Sequence, residues 1–138
     1  MSKFIPFLCS TVQQEIGNTI IELKKAMPNH LLMEFGYANG YVAVPSSSPL
    51  FELGYGYISH AIDIARPLTY SGHLPVIGDA EYINEGDSID DPEEWWCFGF
   101  HTINLSDGHC DRDWCIRTTL SLKEQLEKLE EKMKQEEK

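Results

Sequence analysis

Two short segments hold most of the residue types able to bind a small polar molecule. Arg66, Thr69, Tyr70, Ser71 and His73 lie in the first, and Trp95, Trp96 and His101 in the second. A guanidinium pairs with phosphate through two parallel N–H donors, flat rings stack on a base, and hydroxyl and imidazole groups supply directional hydrogen bonds. Tyr55, Tyr57, Phe98 and Phe100 enlarge the aromatic grouping. Arg66 stands out because the first 78 residues contain only four cations: Lys3, Lys24, Lys25 and Arg66. The chemistry this set predicts is capture of a nucleotide-like ligand. Arg66 would sit on phosphate, Tyr70, Trp95 or Trp96 on a base, and Thr69, Ser71 and His73 would supply hydrogen bonds.

Other chemistries are thinner. His101, His109, Cys110 and Cys115 fall within fifteen residues and are zinc-type ligands, but no paired Cys-x-x-Cys accompanies them. Asp107, Asp111 and Asp113 alternate like calcium ligands without the glycine and glutamate an EF-hand loop requires. Cys97, Cys110 or Cys115 could serve as a nucleophile with His73, His101 or His109 as base, yet nothing in the spacing pairs one with another. The reading is therefore a binding protein with no cofactor and no metal rather than an enzyme. Residues 79–94 carry eight acidic and no basic side chains, which suits either a solvated loop or a surface that mimics phosphate.

The scaffold positioning these groups is bounded by composition. The chain has 138 residues, 42% hydrophobic and 24% charged, which is one domain with one core. Its net charge of −11, from 22 acidic and 11 basic residues, repels nucleic acid. The N-terminal patch of Phe4, Ile5, Phe7 and Leu8, broken by Pro6, is shorter than a signal-peptide core, and no run approaches the roughly 18 apolar residues of a membrane span. With no secretion signal, the four cysteines (Cys9, Cys97, Cys110, Cys115) are expected as reduced thiols in a cytoplasm.

Ser10-x-x-Gln13 is a capping box, and Val12, Ile16, Ile20, Leu23 and Met27 form one apolar stripe, so a helix is predicted up to Pro28-Asn29. Asn39-Gly40, between Leu31–Tyr37 and Tyr41–Val44, predicts a hairpin turn. Ala61–Ala65 and Leu68–Ser71 read as short strands, residues 79–94 as a loop, and Trp95–Leu105 as a central strand. From about Thr118 a helix carries Leu122, Leu126, Leu129 and Met133 on one seam. The expected fold is α+β: an antiparallel β-sheet with an N-terminal helix and a C-terminal amphipathic helix. Residues 1–118 form the α+β domain, and 119–138 the C-terminal helix, which is also the candidate element for homo-oligomerisation.

Gly40-Tyr41-Val42-Ala43-Val44-Pro45, Pro49-Leu50, Ile62-Asp63-Ile64, Leu68-Thr69-Tyr70-Ser71, Trp95-Trp96 and Phe98-Gly99-Phe100 resemble, in order and rough spacing across residues 40–130, an uncharacterised family of small bacteriophage proteins. That family has a histidine where this chain has Ala65, two glycines where it has Arg66-Pro67, an aspartate at His101 and a second histidine near Asn104, while Asp107 matches its last aspartate. The resemblance implies a site lost or rebuilt here. By analogy with small phage counter-defence proteins it implies a protein, in the cytoplasm of an infected bacterium, that sequesters a nucleotide-like immune signal. Two alternatives accompany it: an acidic inhibitor of a host defence protein acting through residues 79–94, and a small hydrolase acting on a nucleotide.

Overall fold

Alternate residues of an extended chain point to opposite faces, and two runs obey that rule strictly enough to build the sheet. A computed structural model describes residues 3–10, 37–73, 80–102 and 109–136. Among these described residues are five strands: β1 (Ile5–Ser10), β2 (Ala38–Pro45), β3 (Tyr70–Gly72), β4 (Ala80–Tyr82) and β5 (Trp95–Phe100). They lie in the order β3-β5-β2-β1-β4, with each pairing antiparallel. One helical turn, α1 (Tyr55–Ile58), continues into a 3-10 turn at Ser59–Ala61, and the long helix α2 (Arg112–Glu136) closes the described chain.

One face of the sheet packs on α2. Val42, Val44, Phe98 and Phe100 meet Leu122 and Leu126, with Phe4, Leu50, Ile58 and Leu68 filling the margins, all buried. The seam of α2 therefore packs on its own sheet, and Leu129 and Met133 extend the contact half-buried. The helix begins at Arg112, before the predicted start near Thr118, because Asp111 caps it: its Oδ1 accepts from the Trp114 amide at 2.8 Å, satisfying one of the first-turn donors. The sequence boundary at 118/119 thus falls inside one continuous helix. It does not meet the criteria of length and apolarity needed to cross a membrane, nor does any other described helix.

The opposite face buries Ile5, Phe7, Cys9, Tyr41, Ala43 and Cys97. Across it runs an aromatic row set by register: Tyr70 opposite Gly99, Gly99 opposite Tyr41, Tyr41 opposite Phe7, and Phe7 opposite Tyr82. Phe7 and Tyr41 stack at 5.4 Å, and Tyr70 meets Tyr41 edge-on at 5.6 Å. The row exists because position 99 has no side chain. A Cβ there would sit 2.2 Å from Cδ1 of Tyr41.

Several expectations change. Asn39-Gly40 is not a hairpin turn but lies within β2. Asn39 is buried and its Oδ1 accepts from the Thr102 amide at 3.0 Å. Gly40 is required by packing, since a Cβ would come within 2.2 Å of Thr119 Oγ1 and 2.4 Å of the Phe100 ring. The Phe4–Leu8 patch, read as too short for a leader, becomes β1 between β2 and β4. Pro6 is tolerated there because its pairing with β4 begins only at Phe7, and its carbonyl still accepts from Ile83 at 3.3 Å. Ser10 is the last residue of β1, and the predicted N-terminal helix over residues 11–27 lies outside the described residues, as does the Leu31–Tyr37 run apart from Tyr37. Residues 61–65 form no strand beyond the 3-10 turn that ends at Ala61. The 79–94 stretch is not all loop: it contains β4 and a 3-10 turn at Pro92–Glu94. β5 ends at Phe100 and sits second in the order, with β2 at the centre.

Candidate functional site

β3 and β5 run side by side, so the two predicted segments do meet, but only in part. Tyr70, Ser71 and His73 come together with Trp95 and Trp96, and there the polar atoms are engaged internally. The Trp96 indole donates to the Leu53 carbonyl at 2.8 Å. Its ring lies edge-on to His73 at 5.3 Å and to Phe51 at 6.1 Å. His73 Nδ1 stands 2.9 Å from the Trp95 carbonyl and 3.2 Å from the Pro92 carbonyl, two acceptors that place its proton on Nδ1. The Tyr70 hydroxyl donates to the His73 carbonyl, and the Ser71 hydroxyl accepts from the Tyr55 amide at 3.0 Å. Burial pushes the Tyr70 phenol above its ordinary range, with Cys97 adding to the effect. Trp95 packs half-buried into the aromatic face. These side chains form a structural corner.

Arg66 is elsewhere. Residues 62–68 run as a strap along α2 from its C-terminal half toward its start. The Asp63 amide donates to Gln125 Oε1 at 2.6 Å, and Gln125 Nε2 donates back to the Asp63 carbonyl at 2.8 Å. That two-way amide pair satisfies the backbone that a strand partner would otherwise satisfy, which is why Ile62-Asp63-Ile64 stays out of the sheet. Further on, Arg66 Nη2 lies 3.8 Å from Cys110 Sγ, and Thr69, itself exposed, rejoins the sheet through its amide to the Gly99 carbonyl at 2.9 Å. Between strap and α1 is a hollow of about 370 Å3 lined by Arg66 with Tyr55, Ser59, Ile62, Ile64 and Leu68. Of the predicted site residues, Arg66 alone is among its described lining. Ser59 is the companion the sequence did not single out. Tyr55 belonged to the aromatic grouping, but no spacing marked it, because the chain folds back through α1 to reach Arg66.

The remaining constellations are tied up locally. His109 Nε2 is 3.5 Å from Cys110 Sγ, while Cys115 Sγ turns to the Ala38 carbonyl at 3.4 Å, and among the described residues no three His, Cys, Asp or Glu side chains are arranged to hold a metal. Cys9, Cys97, Cys110 and Cys115 are buried and form no disulfide. Burial pushes the Cys97 and Cys110 thiols up and Cys115 to about 11, with Arg66 partly opposing the rise at Cys110. An activated nucleophile needs the opposite shift. Asp113 pairs with Arg117 at 2.9 Å, Asp111 caps α2, and Asp107 lies outside the described residues. His101 follows β5 with Nδ1 buried and unpartnered.

The acidic stretch is partly built into the fold. Glu81 accepts from Arg112 Nε at 2.9 Å and from the Tyr37 hydroxyl at 3.3 Å. Asp87, its side chain 2% exposed, pairs with Lys3 at 2.7 Å. Asp91 caps the 3-10 turn at the Glu93 amide, and Glu94 accepts from the Ser46 hydroxyl at 2.8 Å. Glu85, Asp90 and Glu93 point outward, exposed. Compared with known proteins, the chain matches no family model, no curated protein and no solved structure.

Proposed function

We propose that the protein is a non-enzymatic binding protein that holds a small nucleotide-like ligand in the hollow beside Arg66. One observation carries the reading: Arg66, Tyr55 and Ser59, residues able to supply a guanidinium, a phenol ring and a hydroxyl, line one open cavity of about 370 Å3. Its size falls at the lower end of the roughly 300–1,000 Å3 of small-molecule sites. Arg66 would meet the phosphate, Tyr55 would lie against the base, and Ser59 would supply a hydrogen bond. The stacking role thus passes from Tyr70, Trp95 and Trp96 to Tyr55. The pattern shared with small bacteriophage proteins supports placing that capture in counter-defence, where a host immune signal is withdrawn by stoichiometric binding. The raised thiols favour capture over hydrolysis.

The test is calorimetry of the full chain with mononucleotides, dinucleotides and cyclic dinucleotides, followed by heat release and chromatography of the bound fraction. Intact ligand should be recovered, and Arg66→Ala should weaken binding about 10-fold or more, as expected for loss of a charged hydrogen bond. Equal affinity in Arg66→Ala would remove the assignment. Chemically altered ligand would make the protein an enzyme. Binding to no nucleotide would turn attention to the outward-facing Glu85, Asp90 and Glu93 as a surface for a basic host protein.

A further inference from the structure

At the other end of the strap, α1 and the last turns of α2 enclose a second and larger groove. Leu53, Tyr57 and Ile58 line one side and Leu129 and Met133 the other, around about 580 Å3. The walls are apolar, and Tyr57 is 76% exposed, a large ring left open to solvent beside an unfilled cleft. His60, Lys132 and Glu136 stand among the lining. Lys132 differs from its neighbours on α2. Lys123, Lys128 and Lys134 each pair with a glutamate one turn away, Glu127, Glu124 and Glu130. Lys132 has no ion pair among the described residues, although Glu136 lies one turn on.

We infer that this groove binds an amphipathic anion, a medium-chain carboxylate whose apolar body lies between Tyr57 and Met133 and whose head group meets the Lys132 ammonium. The charge pattern selects this occupant. A second copy of the chain would bring another −11 of net charge to the contact, whereas a single carboxylate answers an ammonium that has no ion pair among the described residues. Residues 119–138 carry six acidic and five basic side chains, so the groove is spared the strongly negative field of residues 79–113. A cleft of this volume is also within the roughly 300–1,000 Å3 range of small-molecule sites. Glu136 limits the site to one anionic group.

The experiment is a titration of full-length protein carrying ¹³C-methyl methionine with decanoate and, separately, with decanol. The chain has four methionines, and the conservative Met133→Leu variant identifies the Met133 signal. Decanoate should shift that signal saturably and bind about threefold or more tightly than decanol, the span of a solvent-screened ion pair. The difference should shrink in high salt and vanish in Lys132→Ala, which should leave decanol binding unchanged. Arg66→Ala should alter neither titration, so failure here is separable from failure of the nucleotide reading. Equal binding of acid and alcohol by the parent protein, absence of a saturable shift, or a Met133 shift that follows protein concentration and sedimenting mass instead of ligand would overturn the assignment.

Discussion

The Trp96 corner and the Arg66 hollow contain the same kinds of residue: rings, hydroxyls, an imidazole in one and a guanidinium in the other. They differ in where the polar atoms go. In the corner the indole N–H, the imidazole, the phenol and the serine hydroxyl each meet a main-chain partner, so the group holds α1, β3 and β5 in place. In the hollow Arg66, which also reaches Cys110 Sγ at 3.8 Å, lines an open cavity with Tyr55 and Ser59. Residue type decides what a side chain is able to bind, and the fold around it decides whether it faces packed neighbours or an open cavity.

The comparison is most exposed to a truncation of the indole. Trp96→Ala removes the bond to Leu53 and two ring contacts, and urea unfolding should show a loss of about 3 kcal/mol. Arg66→Ala, on the half-buried strap, should lose less than about 1 kcal/mol. A Trp96 variant that keeps full stability and loses its ligand would reverse the two assignments.

Alkaline stability comes next. Cys115, Cys97 and Tyr70 all hold their protons more tightly in the folded protein than their ordinary values imply. Above pH 9 the unfolded chain releases thiol protons that the folded chain keeps, so unfolding becomes favoured as pH rises. Stability should be complete below pH 9 and fall by about 2 kcal/mol or more as pH approaches 11. Cys97→Ala should flatten part of that slope; an unchanged profile would mean that the thiol contributes nothing to it.

The strap offers a smaller effect. Gln125→Ala deletes both bonds to Asp63, so a loss of about 1 kcal/mol is expected, together with faster hydrogen exchange at the Asp63 amide and weaker nucleotide binding. Exchange at Asp63 equal to the parent's would show that the strap is held by other contacts. Smallest is a gain. Glu52, beside the corner, has φ of +68°, a conformation that costs an L-residue about 1 kcal/mol. Glu52→Gly should stabilise the protein by about 0.5 kcal/mol, with the Trp96 indole signal unmoved in an NMR spectrum.

The parts legible in the sequence were those with an uninterrupted period or a dense run of strand-forming residues. Trp95–Leu105 is rich in strand-forming residues and its first six form β5; Leu122, Leu126, Leu129 and Met133 step by four and three and form the packed seam of α2. Where one residue had two explanations, the local one misled. Asn39-Gly40 has turn chemistry, but Gly40 is there because Thr119 and Phe100 crowd the backbone, and Asn39 because Thr102 needs an acceptor. Pro6 suggested a broken patch, although a proline is harmless at the point where β4 stops pairing. The hollow was half legible. Arg66 was conspicuous as a rare cation, whereas its partners were sought from Thr69 to His73 and at Trp95, Trp96 and His101. Tyr55 and Ser59 reach it only through tertiary folding, for which sequence spacing carries no signal.

The strand lengths have one more consequence. Among the described residues the inner strands β1, β2 and β5 run six, eight and six residues, and the outermost, β3 and β4, only three each. A foreign ribbon seeking to extend the sheet by main-chain pairing would find a very short template on either flank, too little to offset the entropy of docking. Such a margin guards against fibril growth and against promiscuous strand addition at high concentration.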